Sequence, residues 1–372
     1  DEFDQQCPWA TVQGSEAKNC TVYFRPAKTT EGLSSWVNIV AQTFLIARQA
    51  GCQIKFDYGE HVNIYETISP FPHNHAHNNW TVPTGFECSF ETNCYTFQQR
   101  AKIAKAVGLN YKLQPVPIYR HVYSPLGRSH YTRDTFNGLQ KTLFQFKLET
   151  GMACALGGLF NLSPSLSKYE PDLFTTLLPK LHDEETLVMT LYIRTGNTDL
   201  MATQEAKDGK VDYHSEGLSG NYMPHSKCAL HLEQEYLAGR IRINNHTSPS
   251  ISRVVWLVVT DSPKTKNRLA TAFNGKTIVT DHQQTITRNI TREVIGSRSL
   301  GIHSRNTRNV SKSDFADSFL DWYLIGESDV VIDKVGAYTY GETGALRTAR
   351  PVYDAKNDPC SKVFFVKDDI QD

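Results

Sequence analysis

The sequence predicts an α/β protein built on a doubly wound parallel sheet. Two observations carry that expectation. Four times in the second half an apolar run of strand length stops at an abrupt polar tip: Val188 to Arg194 and Gly196, Val254 to Asp261 and Ser262, Lys276 to Asp281 and His282, and Val330 to Asp333 followed by Gly336 to Tyr340. Helical patterns lie between the later runs, which is the alternation of βαβ units. In such sheets ligands sit in the crevice outside the carboxyl ends of the strands. One guanidinium, with small hydroxyl, glycine and aspartate residues, would then converge there, a set suited to a nucleotide diphosphate and its base.

The elements follow in order. Thr21 to Arg25 reads as a short strand, and Pro26 to Gly32 as the loop after it. Ser34 or Ser35 caps a helix whose apolar positions Trp36, Ile39, Val40, Phe44 and Ala47 keep near the 3.6-residue period. Gly51 stops that helix, and Gln53 to Tyr58 is the next strand. Residues 66–98 are rich in Pro, Asn, His and Gly and read as loop. Residues 135–180 read as helical, broken at Asn161 to Ser167. A polar stretch at Lys180 to Glu185 suggests a domain boundary, giving domains 1–182 and 183–372. Residues 195–227 form a long polar connection of the kind that serves active sites. Pro263 starts a helix that Asn274-Gly275 ends, and Ser313-Asp314 caps another that ends at Gly326.

Composition narrows the class. At 372 residues the chain is long enough for two domains with separate cores. Its 39 basic and 39 acidic side chains balance, so no overall field draws it to nucleic acid or to an anionic membrane. No apolar run approaches the roughly 18–20 residues of a membrane span. Cys7, Cys20, Cys52, Cys88, Cys94, Cys154, Cys228 and Cys360 lack the paired spacing of zinc sites, and Cys88 with Cys94 is the favoured disulfide pair. Glycosylation sequons begin at Asn19, Asn79, Asn161, Asn245, Asn289 and Asn309. Cysteines and sequons together point to the secretory pathway, in the Golgi lumen or outside the cell, with a targeting segment trimmed.

A bound pyrophosphate needs cations or convergent donors. Arg194 at its strand tip can grip it in a bidentate clamp, though an Arg is more commonly a surface ion pair. The bend Gly336 to Gly341 enters a helix, so its N–H groups and the Thr339 hydroxyl can hold phosphate, or it is a plain capped turn. Asp281 can accept hydrogen bonds from a guanine edge, or is a turn residue. No GxGxxG follows a strand, and neither a Walker A sequence nor an Asp-x-Asp metal motif is present. The positive charge is therefore expected from side chains, with no metal or cofactor.

These segments resemble the fucosyltransferase superfamily with the two-domain GT-B fold, which includes protein O-fucosyltransferases and the α1,6- and plant xyloglucan types. Leu191 to Gly196 is similar to its H-x-R-x-G segment and Val259 to Ser262 to its A-T-D-S strand end. Phe319 to Gly341 resembles its D-x-x-x-L…S-S/T-F-G block. Leu33 to Tyr58 and Leu159 to Ser165 resemble segments of the first domain. The resemblance implies two Rossmann-like domains facing a central cleft, the first mainly on the acceptor side and the second holding GDP-fucose. It implies donor contacts from Arg194, Gly196, Asp261, Ser262, Asp281, His282, Tyr338, Thr339 and Tyr340, and transfer to a glycan or glycoprotein hydroxyl. Glu31-Gly32-Leu33 resembles an E-G-F loop whose Glu is the base, with Asp199 and Glu216 as fallbacks. Two departures stand out: Tyr192 replaces the family's His, and Tyr338-Thr339 replaces its hydroxyl pair.

Other readings stay open: a transferase for another nucleotide sugar, or a secreted glycan-binding pseudoenzyme. His73, His75 and His77 share one face of an extended segment, a spacing that suits Zn or Cu, but no nearby Cys or carboxylate completes the set.

Overall fold

A computed structural model describes residues 21–24, 33–34, 37, 41, 53–56, 68–69, 95–96, 118–122, 148–194, 222–243, 251–275, 277–278, 290–299, 312–334 and 339–363. The chain forms two compact units, Asp1–Ser165 with Ser304–Lys312, and Leu166–His303 with Ser313–Asp372.

In the first unit, β1 (Thr21–Phe24) pairs in parallel with β2 (Gln53–Phe56), so the predicted βαβ opening is present. Leu33 and Ser34 are already helical, so the helix starts earlier than a cap at Ser34 or Ser35 would put it. Leu33, Val37 and Ala41, four residues apart, are buried, which is the spacing of one helix face. Two short strands that sequence patterning placed in a loop are β3 (Ile68–Ser69) and β4 (Tyr95–Thr96). With β5 (Ile118–Val122) the sheet order is β2-β1-β5-β4, all parallel. Helix α1 (Leu148–Leu159) follows, then β6 (Asn161–Leu162), which pairs antiparallel with β3.

The second unit opens with irregular helical turns, ending in the single-turn α2 (Leu178–Leu181). Its sheet contains β7 (Thr186–Ile193), β8 (Arg253–Thr260), β9 (Thr277–Ile278), β10 (Ile290–Gly296), β11 (Val330–Asp333), β12 (Val352–Asp354) and β13 (Ser361–Val363). The spatial order is β13-β12-β11-β7-β8-β10-β9. The five strands β12, β11, β7, β8 and β10 are parallel, and the edge strands β13 and β9 run against them. In chain order the parallel strands read 5-4-1-2-3 across the sheet, the doubly wound arrangement that reverses direction between β7 and β11.

Among the described residues, the four longer helices of this unit divide between the faces. Helix α3 (Met223–Leu237) and α4 (Pro263–Phe273) contribute Leu232, Tyr236 and Leu269 to a core with Leu187, Met189, Leu191 and Ile193 of β7, Trp256 of β8 and Ile332 of β11. Because successive strand residues alternate faces, Val188, Thr190 and Tyr192 of β7, and Val331 and Asp333 of β11, turn the other way. Helices α5 (Lys312–Gly326) and α6 (Thr339–Leu346) complete the set and add Phe319, Trp322 and Leu346 to the core. Ser262 caps α4 by accepting a hydrogen bond from the Thr265 N–H at 3.2 Å, and Gly275 beyond its end adopts φ +70°, a left-handed conformation a side chain would strain.

Sequence patterning overlooked α3, β10, β12 and β13. Helix α3 buries His225, Ser226 and Glu233, so its inward face is not a clean apolar stripe. The third predicted tip also needs correction. Strand β9 is an antiparallel edge, so it ends toward the amino side of the parallel strands, not at the rim where β7, β8 and β11 end.

Candidate functional site

Three predicted tips meet at one rim of the second sheet. There Arg194 leaves β7 beside Asp261 at the end of β8, with Nη1 3.3 Å from the carboxylate Oδ2. The aspartate side chain is 2% exposed and the arginine 17%. The pair is held from below. Thr260 Oγ1 accepts from the Ser262 N–H at 3.2 Å, and the Ser297 hydroxyl donates to the Thr260 carbonyl at 3.1 Å. Ser297 in turn follows β10, whose exit is anchored by buried Asp321 of α5. One Asp321 oxygen accepts from the Arg298 N–H at 2.9 Å and the other from the Ser299 N–H at 2.9 Å.

Across the switch point lies the start of α6. Its Tyr340 ring stacks on Tyr192, with centroids 5.5 Å apart, and its hydroxyl donates to the Ser318 carbonyl of α5. Burial pushes that phenol well above its ordinary pKa, so it stays a neutral donor. Gly341 is required by close approach: a Cβ there would stand 2.5 Å from Asp333 Oδ2 and 2.6 Å from Tyr192 Cδ1.

Asp333 is the least expected group. It is 1% exposed at the end of β11, and its Oδ2 has no hydrogen-bond partner. Burial, then the charge of Glu342, pushes its carboxyl well above the usual range, favouring the neutral acid. On the neighbouring strand, the buried Thr190 Oγ1 on the same sheet face also lacks a partner. A different carboxyl, Asp317 of α5, is raised to about 6 by burial and by the nearby Asp321, Glu170 and Asp314 charges, with Arg298 opposing.

Of the sequence-predicted donor contacts, Arg194, Asp261, Ser262 and Tyr340 are brought to this rim. The Ser262 hydroxyl is committed to capping α4. Thr339 is the first residue of α6. Gly196, Asp281, His282, Tyr338 and the base candidate Glu31 lie outside the described residues, as do Asp199, Glu216 and His73, His75 and His77. Sequence reasoning missed Asp333 and the close packing at Gly341; the abrupt Asp after Val330-Val331-Ile332 was the visible signal for the first. The favoured pair Cys88 and Cys94 is also outside the described residues, whereas Cys228 and Cys360 form a disulfide with Cα atoms 5.5 Å apart. Cys154 is disulfide-bonded as well. No helix among the described residues is long and apolar enough to cross a membrane.

No family model matches the sequence, and neither does any curated protein sequence. Solved structures do match. FUT1 from Arabidopsis thaliana, a mutant in complex with GDP, aligns with a TM-score of 0.51 at 11% identity, over 97% of this chain and 77% of that one. The fucosyltransferase NodZ from Bradyrhizobium aligns with a TM-score of 0.47 at 10% identity, over 95% of this chain and 100% of that one. With its parallel sheets and the match to the Arabidopsis protein along nearly its whole length, the chain has a mixed α/β fold of the GT-B fucosyltransferase type.

Proposed function

We propose that this chain is an inverting glycosyltransferase that moves fucose from GDP-fucose to a hydroxyl of a glycan or glycoprotein. One observation carries the reading: Arg194 and the amino end of α6 flank the β7–β11 switch point, where doubly wound sheets bind ligands. Arginine matches the fork geometry of a diphosphate, and the first-turn N–H groups of α6 carry partial positive charge.

Sugar transfer breaks the bond between the anomeric carbon and a β-phosphate oxygen through an oxocarbenium-like state. Charge then develops on the leaving diphosphate. A guanidinium held in place by Asp261 stabilises that charge more than it stabilises the intact donor, because it is oriented before the reaction begins. The acceptor hydroxyl attacks from the opposite face, and its proton passes to a base, for which Glu31 is our candidate. The guanidinium takes the place that a divalent metal holds in other transferases, so the activity is expected without one. The disulfide and the six sequons suit a lumenal or extracellular setting.

A thermal-shift panel of GDP, UDP, CMP and ADP tests the donor. GDP alone should raise the melting temperature, by mass action on the native state. Arg194→Ala should abolish that shift; a variant that keeps it would end the phosphate assignment. Glu31→Gln should keep donor binding and slow transfer, and undiminished turnover would remove the base role. GDP binding with no transfer to any glycan would favour the pseudoenzyme.

A further inference from the structure

A second cleft opens at the same rim but on the α3 face of the sheet. Its volume is about 470 Å³. Lys227 and His231, one turn apart on α3, Lys334 just past β11, and Lys356 in the β12–β13 hairpin all line it. The Cys228–Cys360 disulfide lies in its wall and ties helix to hairpin, so the two cationic walls keep their spacing. Asp358 is the single carboxylate among the lining residues, against three lysines. The lining therefore carries an excess of positive charge in a chain whose total charge is zero, with Asp354 close enough to act on Lys334.

Lys334 also marks the cleft as distinct from the Arg194 site. Asp333 meets Gly341 of α6, while the adjacent Lys334 lines a cleft with Met223 and Pro224 of α3. Consecutive residues at the end of one strand thus serve opposite sides of the sheet. Burial, and then the like charge of Lys356, holds the Lys334 ammonium below its ordinary pKa, with the Asp354 carboxylate opposing the shift. An anion placed between these lysines would relieve that repulsion.

We propose that this cleft is a second oxyanion subsite, taking the tetrahedral, anionic head of a sulfate or phosphate ester carried by a sugar substrate. Three lysines border the space and supply positive charge to it, and Met223, Pro224 and Pro359 in the same lining give a sugar ring an apolar surface to rest on. The anion has two possible sources, a modified acceptor sugar or the diphosphate of the donor. The position on the face away from Tyr192 and Tyr340 favours the acceptor. To that extent the assignment rests on the donor reading above; the oxyanion subsite itself does not.

The test uses the full chain, with glucose 6-sulfate as probe and glucose as its neutral control, at fixed ionic strength. Glucose 6-sulfate should raise the melting temperature of the wild type where glucose does not. Lys227→Ala/Lys356→Ala removes two exposed lysines and should weaken the apparent affinity for the sulfated sugar at least fivefold. The same variant should keep its GDP response, and Arg194→Ala should keep its glucose 6-sulfate response. Equal responses of wild type and double variant to glucose 6-sulfate would overturn the subsite. Loss of the GDP response in the double variant would overturn the acceptor source and assign the cleft to the donor. If GDP stabilises no form of the chain while the sulfated sugar still discriminates, the donor reading fails and the subsite stands.

Discussion

The ring of Tyr192, near the end of β7, stacks on that of Tyr340 in the first turn of α6, with 21° between their planes. The two residues flank the point where the sheet changes winding direction. Tyr192 stands where the H-x-R-x-G segment that it resembles has a His, and here its ring packs against Tyr340. Tyr340→Phe keeps the stack and removes only the hydrogen bond to the Ser318 carbonyl. It should cost about 1 kcal/mol of stability and leave the GDP thermal shift in place. Urea unfolding followed by the nucleotide titration reads both; loss of the GDP shift would mean the hydroxyl serves the ligand.

Gly341→Ala is predicted to be far more damaging than its one methyl suggests. The added Cβ would overlap Asp333 Oδ2 and Tyr192, both in the buried seam under α6. Pushing α6 outward should cost about 1–3 kcal/mol and weaken GDP binding together with stability. A variant as stable as the wild type would show that α6 is not held against β7 and β11 this way.

Asp261→Asn tests whether Asp261 acts by orienting Arg194. The amide keeps the shape but loses the charge that holds the guanidinium at 3.3 Å. GDP affinity should fall, by less than in Arg194→Ala, since the arginine remains. An Asn variant that loses as much affinity as Arg194→Ala would show that Asp261 does more than orient the guanidinium.

Away from the site, Arg292 of β10 makes a bidentate pair with buried Glu233 of α3, and its guanidinium lies 4.6 Å from the Trp256 ring centroid. Trp256 Nε1 donates to the same carboxylate at 3.2 Å. Arg292→Ala leaves a buried carboxylate without its cation and should cost about 3–5 kcal/mol. The double variant Arg292→Leu/Glu233→Met should recover most of that loss, because no charge is then stranded. Chemical denaturation of the two variants decides it.

At the opposite rim, His182 Nε2 lies 2.5 Å from Glu327, which also pairs with Arg347. The bond to Glu327 raises the His182 pKa above 6.5. Its stabilisation is therefore complete below that value and fades as pH rises through the raised folded pKa. Burial alone would lift Glu327, but the Arg347 charge and the bonds from His182 and Arg347 outweigh it and hold the carboxyl at about 2. Its contribution is present above its unfolded value near 4.5 and disappears as pH falls toward 2. The melting-temperature gap between wild type and Glu327→Gln should thus be widest between about pH 5 and 6.5 and close in acid. A gap that does not change with pH would remove the network from the pH dependence.

Local chemistry in the chain was enough to place β7, β8 and β11, and to start α4 at Ser262-Pro263. Long apolar runs and capping residues are read from neighbours in sequence. Helix α3 was hidden because it buries Glu233, whose partner Arg292 lies 59 residues away. The two-residue strand β9 looked like another parallel tip, since the direction of a strand is set by its partner and not by its composition. The same holds at the rim. That Arg194 ends a strand is local information; that it faces Asp261, that Asp333 is stripped of water beneath Gly341, and that three lysines gather on the other side are consequences of strand order. Burial and pairing are properties of what the folded chain brings alongside each group, and only the assembled sheet supplies them.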